Sequence, residues 1–274
     1  MSNPIGVFDS GYGGLTILKE IVSVLPQYDY LYLGDNARAP YGTKSFDTIY
    51  AYTLQSVQWL FDQGCPLVIL ACNTASAKAL RTIQQKDLPS IDPNKRVLGV
   101  IRPTSEVIGN YSQSNHVGVL GTTGTVESKS YLLEISKFFP HITIAQEACP
   151  EWVSIVENNL INTPDAEYYV KYHIDNILSS DPQIDTLLLA CTHYPLLIDL
   201  IRRCTPEKIS IVSQGNIVAN SLGQYLKKHP HMEESCSKNN QKVFYTTGNQ
   251  ADFNNHASMF FGSEIKANQL ILNI

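Results

Sequence analysis

Two stretches of the chain decide how it folds: residues 67–75 read LVILACNTA, and residues 186–194 read TLLLACTHY. Each begins as a continuous aliphatic run without polar alternation, which predicts a parallel β-strand buried on both faces. Each run ends at an Ala-Cys pair followed by small polar residues. Because ligands in open α/β sheets bind beyond the carboxyl ends of the strands, we expect Cys72 and Cys191 to lie at binding edges.

Similar apolar runs alternate with helical patterns along the whole chain, and this alternation predicts an α/β fold with parallel sheets. The polar run of residues 229–240 reads as a surface loop. The predicted strands are Ile5–Phe8, Tyr30–Leu33, Leu67–Ala71, Val97–Ile101, His116–Leu120, Thr143–Ala145, Thr186–Ala190, Ile209–Val212 and Val243–Thr246. The predicted helices are Leu15–Leu25, Ser45 to about Gln63, Thr74–Gln85, Thr125–Phe138, Ala166–Ser179, Leu196–Arg203 and Ile217–Lys228.

The chain also contains two pairs of similar segments, which are called internal echoes below. IGVFD at residues 5–9 is similar to VGVLG at 117–121. One Ala-Cys turn follows each of these segments, at Cys72 and at Cys191, after a similar number of residues. A duplicated α/β unit would explain both echoes, although strand-then-turn patterns recur in any α/β protein. No linker-like stretch separates two units.

Composition excludes several classes of protein. A net charge of -5 and a pI near 5.8 argue against nucleic acid as the main partner, since phosphate binding needs a basic face. No apolar run approaches the roughly 18 residues of a membrane helix, and the N-terminus shows no signal peptide, so we expect a cytoplasmic protein. The six cysteines are scattered without a C-x-x-C pair, which disfavours a disulfide framework or a zinc site.

The two cysteines suggest proton transfer at a carbon atom. A cysteine between a strand and a helix lies near the helix N-terminus. The positive end of the helix dipole favours the thiolate and so lowers the pKa of the thiol from its ordinary value of about 8.5. A single cysteine in such a place is more often structural. Two in matching settings fit a racemase, because one base removes a proton from one face while an acid returns a proton to the other.

Two further residues are candidates for assisting the cysteines: Asp9, at a separate turn, and His193, two residues after Cys191. Asp9 ends the first predicted strand and either caps the following helix or assists proton transfer near Cys72. The glycine spacing after Asp9 is not that of a dinucleotide-binding loop. His193 is either an ordinary core histidine or a partner that orients or stabilises the Cys191 thiolate.

Other polar residues are weaker candidates for binding. Gly42 could offer its backbone N–H to a carboxylate, whereas a tyrosine such as Tyr41 beside it is more often a packing residue than a ligand. Thr122 and Thr125 open a predicted helix and either cap it or bind an anion. The histidines of residues 229–231 have no partner at metal-ligand spacing, so no metal site is predicted.

Taken together, the chain resembles the glutamate racemase family over nearly its whole length. The matching stretches are IGVFDSGYGGLTILKEI, YLGDNARAPYGTKS, LVILACNTASAKAL, VGVLGTTGT, ACPEWVSIVE and DTLLLACTHYPLL. The resemblance implies a cytoplasmic, cofactor-independent enzyme that interconverts L- and D-glutamate for peptidoglycan synthesis, with a homodimeric assembly. It also implies two similar, pseudo-two-fold related α/β domains, residues 1–98 plus 210–274 and residues 99–209, with the active site in the cleft between them.

The resemblance further assigns roles to individual residues. Cys72 and Cys191 correspond to the catalytic pair, Asp9 and His193 to their assisting residues, and Glu157 to an acid that supports the second cysteine. Asp9 and His193 are also expected to contact substrate. The other expected substrate contacts are Ser10, Tyr41, Gly42, Asn73, Thr74, Thr122 and Thr192.

The sequence departs from the family pattern at Asn36, Arg102 and Ser154. None of these lies in a cysteine motif. Arg102 could affect the hinge or an interface, which puts the oligomeric form and the regulation in question rather than the chemistry. The nearest competing function is that of an aspartate or broad-specificity racemase, because a pocket discriminates one methylene by only about 1–3 kcal/mol. Two more distant functions stay open: that of a non-catalytic binding protein, and that of a redox sensor with a Cys72–Cys191 disulfide.

Overall fold

The structure, a computed structural model, describes residues 2–272 as two parallel β-sheets with helices around them. The strands are β1 (Ile5–Asp9), β2 (Tyr30–Gly34), β3 (Leu67–Leu70), β4 (Arg96–Gly99), β5 (His116–Gly121), β6 (Thr143–Ala148), β7 (Thr186–Ala190), β8 (Ser210–Ser213), β9 (Lys242–Thr246) and β10 (Ala267–Gln269). The α-helices are α1 (Gly14–Val24), α2 (Phe46–Asp62), α3 (Asn73–Lys78), α4 (Leu80–Thr82), α5 (Leu88–Ile91), α6 (Ile101–Ser105), α7 (Thr123–Glu127), α8 (Ser130–Phe138), α9 (Pro150–Glu157), α10 (Pro164–Ser180), α11 (Ile198–Cys204), α12 (Gly215–Lys228), α13 (Pro230–Ser235) and α14 (Gln250–Phe261).

The two sheets repeat one strand order. The larger sheet runs β10-β9-β2-β1-β3-β4, and the smaller runs β6-β5-β7-β8. The four adjacent strands β2-β1-β3-β4 of the larger sheet correspond one to one to β6-β5-β7-β8 of the smaller sheet, and they follow the same order along the chain. The α/β fold with similar parallel sheets is therefore confirmed, and the matching order agrees with the internal echoes of the sequence.

Each sheet has one point where the direction of winding reverses. In the larger sheet the chain adds β2 on one side of β1 and then crosses to add β3 on the other. In the smaller sheet β6 and β7 flank β5 in the same way. Such switch points leave a crevice at the carboxyl ends of the two central strands. Asp9 ends β1 and Cys72 lies just beyond β3, while Thr122 and Cys191 directly follow β5 and β7.

The strand pairing differs from the predicted domain boundaries. Ser210–Ser213 pair with β7 in the smaller sheet, whereas residues from 210 onward were assigned to the first domain. Gly99 pairs with Leu70 in the larger sheet, although the second domain was to begin there. We propose that the second division lies after β8, since α12 packs on α1 and β9 joins the larger sheet. Residues 1, 273 and 274 of the predicted first domain lie outside the described residues.

Several predicted elements differ from the observed ones. The predicted helix at 74–85 is divided into α3, α4 and a π-helical turn over Ile83–Asp87. The predicted helix at 125–138 is interrupted at Lys129, which has a left-handed backbone with φ 54. Residues 229–240 are not only a loop, because α13 forms there and buries Met232. Ile101, predicted to end a strand, begins α6. Helices α9 and α14 and strand β10 were not predicted.

Within residues 2–272, no helix is both long enough and apolar enough to cross a membrane. Every residue of β1, β2, β3 and β7 is buried, and these strands form the core together with the helix faces packed on them. This burial on both faces explains why these strands read as continuous apolar runs.

Gly118 tests how tightly the smaller sheet is packed, and Gly223 on α12 serves as its control. A Cβ at Gly118 in β5 would lie 2.6 Å from Leu187 Cδ2 and 2.9 Å from Ile177 Cδ1. Both neighbours are buried, so Gly118→Ala should lower the free energy of unfolding by about 1–3 kcal/mol. Gly223→Ala is the matched control: on α12 its Cβ would meet nothing closer than 3.5 Å, and the helix should gain about 0.5–1 kcal/mol. Urea unfolding measures both, and equal effects would contradict this packing.

Candidate active site

A cavity of about 250 Å³ lies between the two switch points and is lined from both sheets. Its walls come from the loops after β1, β2, β3, β5 and β7, together with α9. The lining residues are Ser10, Ala39, Pro40, Tyr41, Gly42, Thr43, Cys72, Asn73, Thr74, Thr122, Thr123, Pro150, Val153, Ser154, Glu157, Cys191, Thr192 and His193. One cavity therefore collects nearly all of the predicted site residues.

Cys72 caps the N-terminus of α3 with its sulfur. The Ala75 N–H donates to Cys72 Sγ at 3.4 Å, and the Ser10 hydroxyl lies 3.4 Å from the same atom. The side chain is only 6% exposed. Burial raises the pKa of the Cys72 thiol to about 12, and the nearby Asp9 carboxyl adds to this, while the Ser10 and Ala75 hydrogen bonds oppose it. Cys72 is therefore a thiol near neutral pH.

Asp9 lies beside Cys72 but is not among the cavity-lining residues. It is fully buried, and its Oδ2 accepts a hydrogen bond from the Gly11 N–H at 2.9 Å. Its Oδ1 is buried without a hydrogen-bond partner among the described residues. Burial raises the pKa of Asp9, although the charge of His193 and the backbone N–H groups of Gly11 and Gly14 lower it in part. The position suits an assisting role better than the predicted direct substrate contact.

Cys191 lies next to a histidine–carboxylate pair. His193 Nδ1 is 3.8 Å from Cys191 Sγ, and His193 Nε2 is 2.9 Å from Glu157 Oε1. The Phe260 ring meets the imidazole at an interplanar angle of 83°. Burial alone would lower the pKa of His193, but the hydrogen bonds to Cys191 and Glu157 overcome it and raise the pKa to about 10. The imidazole is therefore cationic at neutral pH, and a cation beside a sulfur favours the thiolate.

The turn that bears Cys191 packs directly on the start of α1. A Cβ at Gly13 would lie 2.2 Å from Thr192 Oγ1 and 2.6 Å from the His193 ring, so only glycine fits there. The Thr16 hydroxyl donates to the Thr192 carbonyl at 2.9 Å. Gly13 thus lets the turn after β7 approach the start of α1 closely.

Hydroxyl groups join the two halves at the far wall of the cavity. Thr74 Oγ1 lies 2.9 Å from Thr122 Oγ1, which also caps α7 by accepting from the Thr125 N–H. The Gly124 N–H donates to the Gly42 carbonyl at 2.9 Å. Thr122 is therefore both a helix cap and a cavity residue, and Thr125 lies buried behind it.

Tyr41 is held by the first half of the molecule. Its hydroxyl donates to Asp35 Oδ2, which also accepts from Arg38 Nε at 2.7 Å. Burial is the main reason why the pKa of Tyr41 is raised well above its ordinary value, so the hydroxyl stays protonated. Tyr41 therefore lines the cavity as a fixed wall, which supports a packing role beside the binding one.

Sequence reasoning missed part of the lining. Ala39, Pro40, Thr43 and Thr123 adjoin predicted residues, so sequence proximity could have indicated them. Pro150, Val153 and Ser154 line the cavity because α9, which was not predicted, presents one face to it.

The departures from the family pattern occupy different places. Ser154 lies in the cavity wall. Arg102 is exposed and pairs with Glu106 at 2.9 Å, outside the cavity. Asn36 accepts a hydrogen bond from Thr246, which ties the β2 loop to the C-terminal segment. Within residues 2–272 no group of three His, Cys, Asp or Glu side chains could hold a metal ion.

Comparisons with known proteins agree with this arrangement. A family model described as Asp/Glu/Hydantoin racemase matches residues 5–222. A protein named glutamate racemase from Roseobacter denitrificans is 39% identical over 272 residues, which cover 96% of this chain and 98% of that protein. A glutamate racemase structure from Bacillus anthracis aligns with a TM-score of 0.88 at 31% identity, covering 98% and 97% of the two chains. One from Francisella tularensis, solved with D-glutamate, gives 0.87 at 33%, covering 99% and 98%.

Glu157→Gln tests the charge of the His193 pair. Glutamine keeps the shape but removes the carboxylate that stabilises the imidazolium, so the pKa of His193 should fall from about 10 toward its ordinary value. An NMR titration of the ring signals measures this. Asp181→Asn, which removes a carboxylate from the remote His116, should leave the His193 titration unchanged. An unaltered His193 titration in Glu157→Gln would show that the carboxylate does not hold the charge.

Proposed function

The chain belongs to the Asp/Glu/Hydantoin racemase family, and on that premise we propose that it is a glutamate racemase working through two cysteines. Family membership makes it a racemase and therefore an isomerase. The proposal adds the substrate, glutamate, and the mechanism, proton transfer at the α-carbon by Cys72 and Cys191.

The observation that supports the mechanism is the presence of two thiols on the wall of one cavity, each at the switch point of a different sheet. Deprotonation and reprotonation on opposite faces of a carbon need two groups that approach it from two sides. A single sheet offers one such edge, whereas two facing sheets offer two.

The surroundings of the two thiols support a division of labour between them. His193 favours the thiolate of Cys191, while burial keeps Cys72 as a thiol. In one direction Cys191 takes the α-proton, the electron pair remains on the α-carbon and its carboxylate, and the Cys72 thiol donates its proton to the opposite face. Cys191 is then a thiol and Cys72 a thiolate, which is the state that the reverse direction needs.

After one turnover the two cysteines have exchanged protonation states, and neighbouring groups are placed to help restore the Cys72 thiol and the Cys191 thiolate. Asp9, buried beside Cys72 with an unpartnered Oδ1 and a raised pKa, is placed to share a proton with that thiol. His193, held by Glu157, stabilises the thiolate on the other side. Each cysteine thus has its own assisting group, and the two groups differ in charge.

The lining of the cavity supports a small polar substrate. Among the described residues that line it, none is Lys or Arg. Substrate carboxylates would therefore be held by hydroxyls, amides and backbone N–H groups, with His193 as the cation in the lining. The relatives named glutamate racemase, and the glutamate racemase solved with D-glutamate, support glutamate as the substrate. Supply of D-glutamate for peptidoglycan and assembly as a homodimer belong to the same proposal and rest on family membership.

Incubation with L-glutamate in deuterated water tests the substrate and the chemistry together. D-glutamate carrying deuterium at the α-position should form without added pyridoxal phosphate or metal, because the thiols exchange their protons with solvent. Chiral chromatography with mass spectrometry measures it. L-aspartate is the comparison, and faster turnover of aspartate than of glutamate would replace the proposed substrate with its nearest competitor.

Cys72→Ser and Cys191→Ser test the two-thiol mechanism. Each should lower racemisation by a factor of at least about 10²–10⁴, since a serine hydroxyl is a far weaker acid and base. Exchange of the α-proton of a single enantiomer is expected to persist in one of them. Cys204→Ser, away from the cavity, is the matched control and should racemise like the parent. Full activity in either site variant would contradict the mechanism.

A further inference from the structure

A closed ring of three side chains lies behind the cavity wall, where three segments of the chain meet. Asn73 Nδ2 donates to Gln214 Oε1 at 2.8 Å, Gln214 Nε2 donates to the Tyr131 hydroxyl at 2.6 Å, and that hydroxyl donates to Asn73 Oδ1 at 2.6 Å. Asn73 begins α3, Tyr131 belongs to α8, and Gln214 joins β8 to α12. All three are at most 2% exposed. The ring therefore connects a cavity residue to the opposite half.

The direction of every bond in the ring is set by one backbone carbonyl. The Thr104 hydroxyl donates to the Val100 carbonyl at 2.9 Å, so it accepts from Gln214 Nε2, which lies 2.9 Å away. Gln214 Nε2 also approaches the Val100 carbonyl at 3.4 Å. Because a carbonyl only accepts, the nitrogen of the Gln214 amide must face this side. Its oxygen then faces Asn73.

This orientation passes on to Asn73. Since Gln214 offers an acceptor, Asn73 must turn its nitrogen toward Gln214 and its oxygen toward Tyr131. The tyrosine hydroxyl has one proton and gives it to Asn73 Oδ1. The Asn73 amide keeps one N–H and one oxygen lone pair for other partners. A flipped Asn73 amide would bring its oxygen against Gln214 Oε1 and its nitrogen against Tyr131, which leaves buried groups unpaired and is costly.

We propose that Gln214 is a positioning residue that, through Asn73, fixes which atom of that amide the substrate meets in the cavity. The inference rests on the proposed function for the identity of the substrate. Gln214 is not among the residues that line the cavity; it acts through Asn73, which does. The same ring ties the segment after Cys72 to the smaller-sheet half through the Tyr131 hydroxyl.

A kinetic double-mutant cycle tests the proposal. Gln214→Met keeps the volume but removes the amide, and it should raise KM for glutamate about five- to tenfold with kcat within about threefold, since a lost oriented hydrogen bond weakens ground and transition states alike. In the Asn73→Ala background the same substitution should have no further effect on KM. If Gln214 served stability alone, its effect would be the same in both backgrounds, and that result would overturn the proposal.

Tyr131→Phe provides a second route should Gln214→Met fold poorly. It removes only the hydroxyl that holds Asn73 Oδ1, and it should reproduce the rise in KM. Tyr30→Phe is the matched control, because Tyr30 is equally buried and its hydroxyl donates to the Leu25 carbonyl, away from the cavity. Equal kinetics of Tyr131→Phe and Tyr30→Phe would count against the ring.

An NMR measurement separates this inference from the proposed function. The side-chain amide signals of Asn73 are identified by their loss in Asn73→Ala. They should shift and exchange faster with solvent in Gln214→Met and Tyr131→Phe, and not in Tyr30→Phe. If the parent protein does not racemise glutamate, the proposed function fails and the spectrum alone decides: unchanged Asn73 signals overturn the positioning role, and shifted signals support it.

Discussion

The molecule depends on one topological constraint, the reversal of winding beside the central strand of each parallel sheet. Parallel strands joined by right-handed crossovers can add neighbours on both sides of a first strand only by reversing direction once. The reversal opens a crevice at the carboxyl ends, beyond Asp9 and Cys72 in one sheet and Thr122 and Cys191 in the other. Because the sheets repeat the same order, two equivalent crevices form, and facing them toward each other encloses one cavity.

The two crevices are alike in backbone topology but differ in the charges of their side chains. On one side a buried carboxyl, Asp9, lies beside a thiol whose pKa is raised to about 12. On the other, His193 is cationic through its contacts with Glu157 and Cys191. A repeated backbone thus carries groups of different charge on the two sides of the cavity. The proposed two-cysteine mechanism requires such a difference, since two thiols would lack the base and two thiolates would lack the acid.

Buried polar bonds hold the two halves together around the cavity. The Thr16 hydroxyl donates to the Thr192 carbonyl, the Gly124 N–H donates to the Gly42 carbonyl, and the Tyr131 hydroxyl of the smaller-sheet half donates to Asn73. Each such group must be paired where water is excluded, so the halves have few relative positions that satisfy all of them. The hydrogen bonds that join the two halves therefore also fix the positions of the segments that line the cavity.

The sequence by itself determined the α/β class, the parallel sheets and the two cysteine turns, because burial on both faces of a strand and the small residues after it are local signals. It also indicated Glu157, but only through family resemblance, since no local pattern joins that residue to His193. Tertiary structure alone decided which groups meet: the orphaned oxygen of Asp9, the Glu157–His193 pair and the ring through Gln214. These depend on contacts between segments far apart in the chain, and the physical reason is that a pKa or an amide orientation is set by burial and by partners that no sequence window contains.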